Sequence, residues 1–426
     1  MKLELIATAT FGLEAVVRRE IEALGYNILK TEDGKVTYEA DETGIVRSNL
    51  WLRCADRVLL KVAEFQAPDF ETLFQTTCGI AWEEWIPADG RFVVTCTTVK
   101  SKLHNEPACQ RTVKKAIVNR LQDFYVTETL PETGADHTVK LTLLKDRATL
   151  TIDTSGTGLH KRGYRVADVK APIKETLAAA LVQLSFWRED RILVDPCCGS
   201  GTIPIEAAMI GMDIAPGLSR SFACEDWEQI PEQVWKNERA KAFKRIRSDA
   251  DLQIYGYDID RRAVAAAREN ADEAGVLEQI RFRRADVNRL LAGGATGAGG
   301  AAKAGPAFAG RTGDGPVFAE TAGAGPAFVE TAGAGPAFAE AWGGEPGVVF
   351  LTNLPYAIRV GTTEELAGIY QSFRLAQEKE PTWNLFAITA DKSIEEALGR
   401  KADRRRKLYN GNIETTYYQF HGERGR

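Results

Sequence analysis

Three short stretches hold residues whose types and spacing could do chemistry: Asp195-Pro196-Cys197-Cys198-Gly199-Ser200-Gly201, Tyr257-Asp258-Ile259-Asp260 and Asn353-Leu354-Pro355-Tyr356. Each follows a short apolar run that reads as a strand. Polar residues therefore sit at the carboxyl ends of strands, where open α/β sheets bind ligands. Gly199 and Gly201 lack a Cβ, so the backbone can approach a ligand closely. Asp195 would repel a pyrophosphate. It suits a ligand carrying an ammonium group, such as the methionine half of S-adenosylmethionine (SAM). Taken alone, a glycine turn is equally an ordinary αβ loop. Asp258, at the second strand tip, can accept from both ribose hydroxyls, while Asp260 is better placed to cap the following helix. Asp286, just past a third strand, can accept from an adenine amino group or serve as a cap.

The third stretch suits transfer to an exocyclic amine, whose lone pair is delocalised into its base. The Asn353 side-chain oxygen and the Leu354 carbonyl can accept its two hydrogens and aim the nitrogen, a matter of positioning rather than of a strong base. Pro355 fixes the turn, and Tyr356 can stack on a base flipped into the site. The alternative is a plain strand-end turn.

The elements that must position these residues follow from periodicity. Strands are expected at 191–194, 252–257, 280–284, 348–352, 383–390 and 417–420, with helices at 203–209, 236–247, 261–274 and 393–398. Upstream, a strand at 2–9, a helix at 12–24, a hairpin around Asp33-Gly34 and a helix at 43–53 form a small α+β unit. Strands at 57–64, 91–98, 139–145 and 148–153, with helices at 69–78 and 106–125, form a second.

Cations cluster beside these units. Lys100 to Arg120 holds six Lys/Arg against one Glu, so Lys100, Arg111, Lys114 and Lys115 are candidate phosphate contacts, unless the helix face is merely solvated. The glycine-rich string DTSGTGLHKRGYR at 153–165 adds His160, Lys161, Arg162, Tyr164 and Arg165 as candidate RNA contacts. The run 400–407 holds six Lys/Arg and one Asp and is either solvated or part of the same surface. Residues 293–346 are Gly/Ala-rich, with GPxF heads at Gly305, Gly315, Gly325 and Gly335. So few large apolar groups cannot offset the ordering entropy, and a disordered inserted loop is expected.

At 426 residues, two or three domains are expected. No apolar run is long enough to span a membrane, and the first residues lack signal-peptide character. Seven cysteines without metal-type spacing fit reduced thiols in a cytoplasm and give no metal site. A net charge of −5 excludes no partner, because local basic patches bind nucleic acid on acidic proteins.

ATFGLEAVVRREIEALGY, DTSGTGLHKRGYR, DPCCGSGTIPIEAA, GYDID, NLPYAIRVG and RKLYNGNI stand in the order of a known family. The chain resembles the bacterial THUMP-domain, SAM-dependent methyltransferases that modify guanosine N2 in 23S ribosomal RNA. The resemblance covers all but 293–346. It implies a ferredoxin-like unit (1–58), a THUMP α+β RNA-binding domain (59–165) and a Rossmann-like class I methyltransferase core (166–426) with a seven-stranded, mostly parallel sheet. It extends the candidate cofactor set to Thr176, Cys198, Ser200, Thr202, Ile259 and Val287, besides Asp195, Gly199, Gly201, Asp258, Asp286 and Asn353. Catalysis falls to Asn353, Leu354, Pro355 and Tyr356. One departure stands out: Leu354 replaces the family's usual proline, and Asn-Leu-Pro-Tyr also resembles the motif of ribosomal-RNA adenine-N6 dimethyltransferases. Transfer-RNA guanine N2 and adenine N6 in RNA or DNA therefore stay open as targets, and a non-catalytic RNA-binding module is the remaining alternative.

Overall fold

The computed structural model describes residues 2–167, 172–292, 348–355 and 363–423, the side chains of 292 and 363–365 excepted. Tyr356 and the repeat segment at 293–346 lie outside the described residues.

The first half of the chain builds one sheet. Its elements are β1 (Leu3–Ala9), α1 (Glu14–Ala23), β2 (Asn27–Glu32), β3 (Lys35–Ala40), α2 (Glu42–Trp51), β4 (Ala55–Gln66), α3 (Phe70–Cys78), β5 (Arg91–Val99), α4 (Glu106–Tyr125), β6 (Asp136–Leu144) and β7 (Arg147–Asp153). The strands run in the order β2-β3-β1-β4-β7-β6-β5, so the ferredoxin-like and THUMP units share a single seven-stranded sheet. The expected boundary at 58/59 falls inside β4, which pairs with β1 on one side and β7 on the other. Only β5 and β6 pair in parallel. Helix α4 begins as its sequence demands: the Asn105 side chain accepts from the Ala108 amide at 3.1 Å, and Pro107 fills a first-turn position.

The second half comprises α5 (Glu175–Leu184), β8 (Leu193–Asp195), α6 (Thr202–Gly211), α7 (Glu232–Arg245), β9 (Ile254–Asp258), α8 (Arg261–Glu273), β10 (Ile280–Arg284), α9 (Val287–Ala292), β11 (Val349–Asn353), α10 (Thr363–Lys379), β12 (Asn384–Thr389), α11 (Ile394–Ala397), β13 (Arg404–Asn410) and β14 (Ile413–Phe420). The strand order is β10-β9-β8-β11-β12-β14-β13, parallel through the first five, with β14 and β13 antiparallel at the edge. This is the expected seven-stranded, mostly parallel sheet. Strand β11 reads Val-Phe-Leu-Thr-Asn with its first four residues buried, as a central strand covered on both faces requires.

The stretch holding Trp227, Trp235 and α7 docks the two halves together. Trp227 is buried, stacks on His137 of β6 at 4.8 Å between centroids and donates to the Asp136 carbonyl at 3.2 Å. Glu238 of α7 takes Arg47 of α2 at 2.8 Å.

Candidate active site

Strands β8, β9 and β11 lie side by side and parallel, so Asp195, Asp258 and Asn353 emerge along one edge of the sheet. Between β8 and α6 the chain turns through Gly199 at φ +55° and Gly201 at φ +82°. Such angles strain any residue with a Cβ. At Gly201 a Cβ would also lie 2.9 Å from the Cβ of Ala267 and 3.0 Å from Cζ of Phe282, so glycine is what lets α8 and β10 pack under the turn.

The turn is tied to the next strand tip. The Gly199 amide donates to Asp258 Oδ2 at 3.0 Å, and the Cys198 amide to the Tyr257 carbonyl at 2.8 Å. Asp258 Oδ1 accepts from the Asp260 amide at 2.9 Å, and Asp260 caps α8 by accepting from the Arg262 amide at 2.8 Å. Asp258 is partly exposed and keeps lone pairs for a ligand. Ile259 beside it is 64% exposed and forms an apolar wall. Asp286 accepts from the Asn288 amide at 2.9 Å at the start of α9, the cap role, and Val287 is buried.

Asp195 is 1% exposed, and its Oδ1 accepts from the Cys197 amide at 3.2 Å. Burial pushes its carboxyl up to about 7, with the Thr352 hydroxyl and Cys197 amide opposing and the Asp258 charge adding. Burial likewise raises Asp258. The Cys197 and Cys198 thiols are pushed well above their usual range by burial, which leaves them as neutral packing groups rather than nucleophiles.

At the β11 tip, the Asn353 side-chain oxygen is buried and has no hydrogen-bond partner among the described residues. Leu354 is fully buried, its amide held by the Ile388 carbonyl at 3.1 Å, and Pro355 is half-buried behind it. An orphaned acceptor at a strand tip, on the same sheet edge as a glycine turn and two carboxyls, is able to take a donor-bearing ligand. The cradle fits a nucleoside attached to an amino acid.

The expected RNA contacts divide. Arg111 and Lys115 on α4 are exposed, as are Lys100 and Lys161. Lys114 is half-buried, 3.4 Å from Glu132. Arg120, on the same stripe, is paired with Glu83. His160 is partly buried, and burial lowers its pKa, so it offers a neutral ring. Arg162 and Tyr164 are corrected: they are 3% and 4% exposed and face inward. Arg162 is paired with Glu206 of α6 at 3.3 Å, and the Tyr164 hydroxyl donates to the same carboxylate at 3.0 Å. Burying a carboxylate requires such partners, and the Arg162 charge is consumed by this need. Arg165 is also turned inward, paired with Glu175 at 2.7 Å.

Thr176 stands at the start of α5 and donates to Asp56 Oδ1 of β4 at 3.3 Å, joining α5 to the first sheet. Asn270 was not legible as a site residue. It is 1% exposed on α8, and its side-chain amide donates to the Ser200 carbonyl at 3.1 Å. A polar residue on the apolar stripe of an amphipathic helix was its only signal.

Among the described residues, no His, Cys, Asp or Glu group is arranged to hold a metal, and no helix is long and apolar enough to cross a membrane.

Three sequence families match the chain. They are a RlmL ferredoxin-like domain at residues 4–59, a THUMP domain at 67–153 and a domain described as RMKL-like methyltransferase, UPF0020, at 162–297 and 344–419. YpsC of Bacillus subtilis, named "Putative RNA methyltransferase", is 42% identical over 98% of this chain and 96% of its own length. The ribosomal RNA large subunit methyltransferase K/L of Syntrophotalea carbinolica is 32% identical over 98% of this chain, which spans 53% of that longer protein. The crystal structure of "SMU.472, a putative methyltransferase complexed with SAH" is 36% identical with a TM-score of 0.83, covering 100% of this chain and 99% of that one. With the same three domains in the same order and full-length likeness to YpsC, the chain belongs to the RlmK/L-like family of THUMP-bearing methyltransferases.

Proposed function

We propose that this protein transfers a methyl group from SAM to the exocyclic N2 of a guanosine in structured RNA, with large-subunit ribosomal RNA the foremost substrate. The observation that carries this reading is the buried, unpartnered side-chain oxygen of Asn353 beside the turn of Gly199 and Gly201. Support comes from the THUMP match, from the K/L relative's printed activity on large-subunit ribosomal RNA and from the SAH in SMU.472.

When bound, SAM supplies an electrophilic methyl group. The chain's own residues bind and orient. Asp258 accepts from ribose hydroxyls with the lone pairs that the Gly199 and Asp260 amides leave free. Asp195 balances the ammonium of the amino-acid end. The backbone between Cys198 and Thr202 would hold the ligand, with Ile259 and Val287 supplying apolar contact and Asp286 an acceptor for the adenine amino group. Asn353 Oδ1 and the Leu354 carbonyl accept the two hydrogens of the target amine, which directs its lone pair at the methyl group. Pro355 holds that turn, and Tyr356 is assigned to stacking on the base. Lys100, Arg111, Lys114, Lys115, His160 and Lys161 remain as RNA-facing groups that fix register without reading sequence.

The test pairs single-turnover methyl transfer to ribosomal RNA fragments with SAH titration. Asn353→Ala should lower turnover by about 10²-fold, as loss of other preorganised polar contacts does, while SAH affinity barely moves. Native turnover in that variant would sink the amine-orienting role. A second reading, adenine N6, is favoured by Leu354 in Asn-Leu-Pro-Tyr. Mass analysis of the methylated nucleoside separates the two.

A further inference from the structure

The string at 153–165 was expected to face RNA, yet its last residues grip the glycine turn. Arg165 donates through Nη1 to Ser200 Oγ at 3.3 Å and through Nη2 to Thr202 Oγ1 at 3.1 Å. The same guanidinium takes Glu175 Oε1 at 2.7 Å and the Ile173 carbonyl at 2.9 Å. It is 13% exposed and Glu175 is 5% exposed, so its charge is spent on a shielded pair rather than offered to phosphate. The linker just beyond is pinned as well: Asn270 Oδ1 accepts from the Val166 and Ala167 amides, each at 3.0 Å. Arg162 and Tyr164 hold Glu206, on the helix that follows the turn. Residues 162–167 thus hold the turn and its helix from the side of the linker.

We infer that Arg165 is a positioning residue for the cofactor turn, bracing the Ser200 and Thr202 hydroxyls so that Gly199-Ser200-Gly201 is held in its binding shape before the ligand arrives. This rests on the SAM reading above. Backbone ties already fix Gly199 and the Ser200 carbonyl, so what Arg165 adds is the hold on the two hydroxyls; without it the ligand would have to order that side of the turn at the expense of affinity. Arg165 touches no reacting atom, so its effect falls on binding and not on the methyl-transfer step.

The test is SAH titration and steady-state methyl transfer on the full chain. Arg165→Met should weaken SAH by about tenfold, the scale expected when a two-hydroxyl clamp is lost and ordering is left to the ligand. KM for SAM should rise in step, with kcat at saturation within about threefold. Arg165→Lys should recover part of the affinity, since one ammonium can keep Glu175 and reach one hydroxyl but cannot fork. Removing the acceptors instead, by Ser200→Ala with Thr202→Val, should weaken SAH in the wild-type background and by clearly less in the Arg165→Met background, where the clamp is already gone. That pair also reads the same contacts if Arg165→Met fails to fold. Unchanged SAH affinity in Arg165→Met, unchanged affinity in the hydroxyl pair, a loss confined to kcat, or fully additive losses would each overturn the inference. If the wild-type protein itself bound no SAH, the cofactor reading would fall first and take this one with it.

Discussion

The most informative perturbation is pH, read through Asp195. Its carboxyl sits at about 7 in the folded protein against an ordinary 3.8, because burial penalises the charge. The folded state therefore holds this proton across a range where the unfolded chain has lost it. Stability from this group is fully present below the ordinary value and drains away as pH rises to about 7. The difference between the two values corresponds to about 4 kcal/mol at most. A cationic ligand reverses the preference. An ammonium seated beside Asp195 favours the carboxylate, so binding expels the proton. If the bound carboxyl returns to the ordinary range, SAH affinity should rise about tenfold between about pH 6 and about pH 8, from the change in the unliganded protonated fraction. Calorimetric titration in two buffers of different ionisation heat should find about three-quarters of a proton released at about pH 6.5. Asp258 is also raised by burial and faces the same ligand. Asp195→Asn separates the two: release attributable to Asp195 should vanish, and binding should weaken. A flat affinity with no proton release in the wild-type protein would refute both the charge assignment and the placement of the ammonium.

Two further outcomes are expected at the same site. Asp258→Ala should weaken SAH by about tenfold or more, from lost ribose hydrogen bonds and from the Gly199 amide left without its 3.0 Å acceptor; unchanged affinity by calorimetry would remove Asp258 from the site. Gly201→Ala places a Cβ 2.9 Å from Ala267 at a φ of +82° and should cost about 1–3 kcal/mol, read as a lower urea midpoint. A wild-type midpoint would show that the turn can relax.

Much of the catalytic half was legible because its signals are local. Strand runs, the glycine turn and the tip residues Asp195, Asp258 and Asn353 are each contiguous, and the capping role of Asp260 follows from its place before α8. What stayed hidden depends on partners distant in sequence. Arg162 and Tyr164 read as surface cations and stacking groups until Glu206, more than 40 residues on, is seen to claim both. Lys114 reads as a phosphate contact until Glu132, in a later loop, is seen 3.4 Å away. Composition gives charges but not who neutralises them. The docking role of Trp227 was hidden likewise, since His137 lies in another domain. Nor could periodicity reveal that β4 serves two units, because a strand's pattern shows which face is buried and not how many neighbours it has.

The shared strand β4 has a consequence for how the protein can be taken apart. Pairing with β1 on one edge and β7 on the other makes β4 the middle of one hydrogen-bonded ladder. A cut at the 58/59 boundary severs that strand and exposes strand edges on both fragments, which invites mispairing and aggregation. The N-terminal unit and the THUMP unit should therefore melt together, and grafting the THUMP sequence alone onto another enzyme would transplant half a sheet. A graft that keeps the sheet whole must therefore run from β1 through β7.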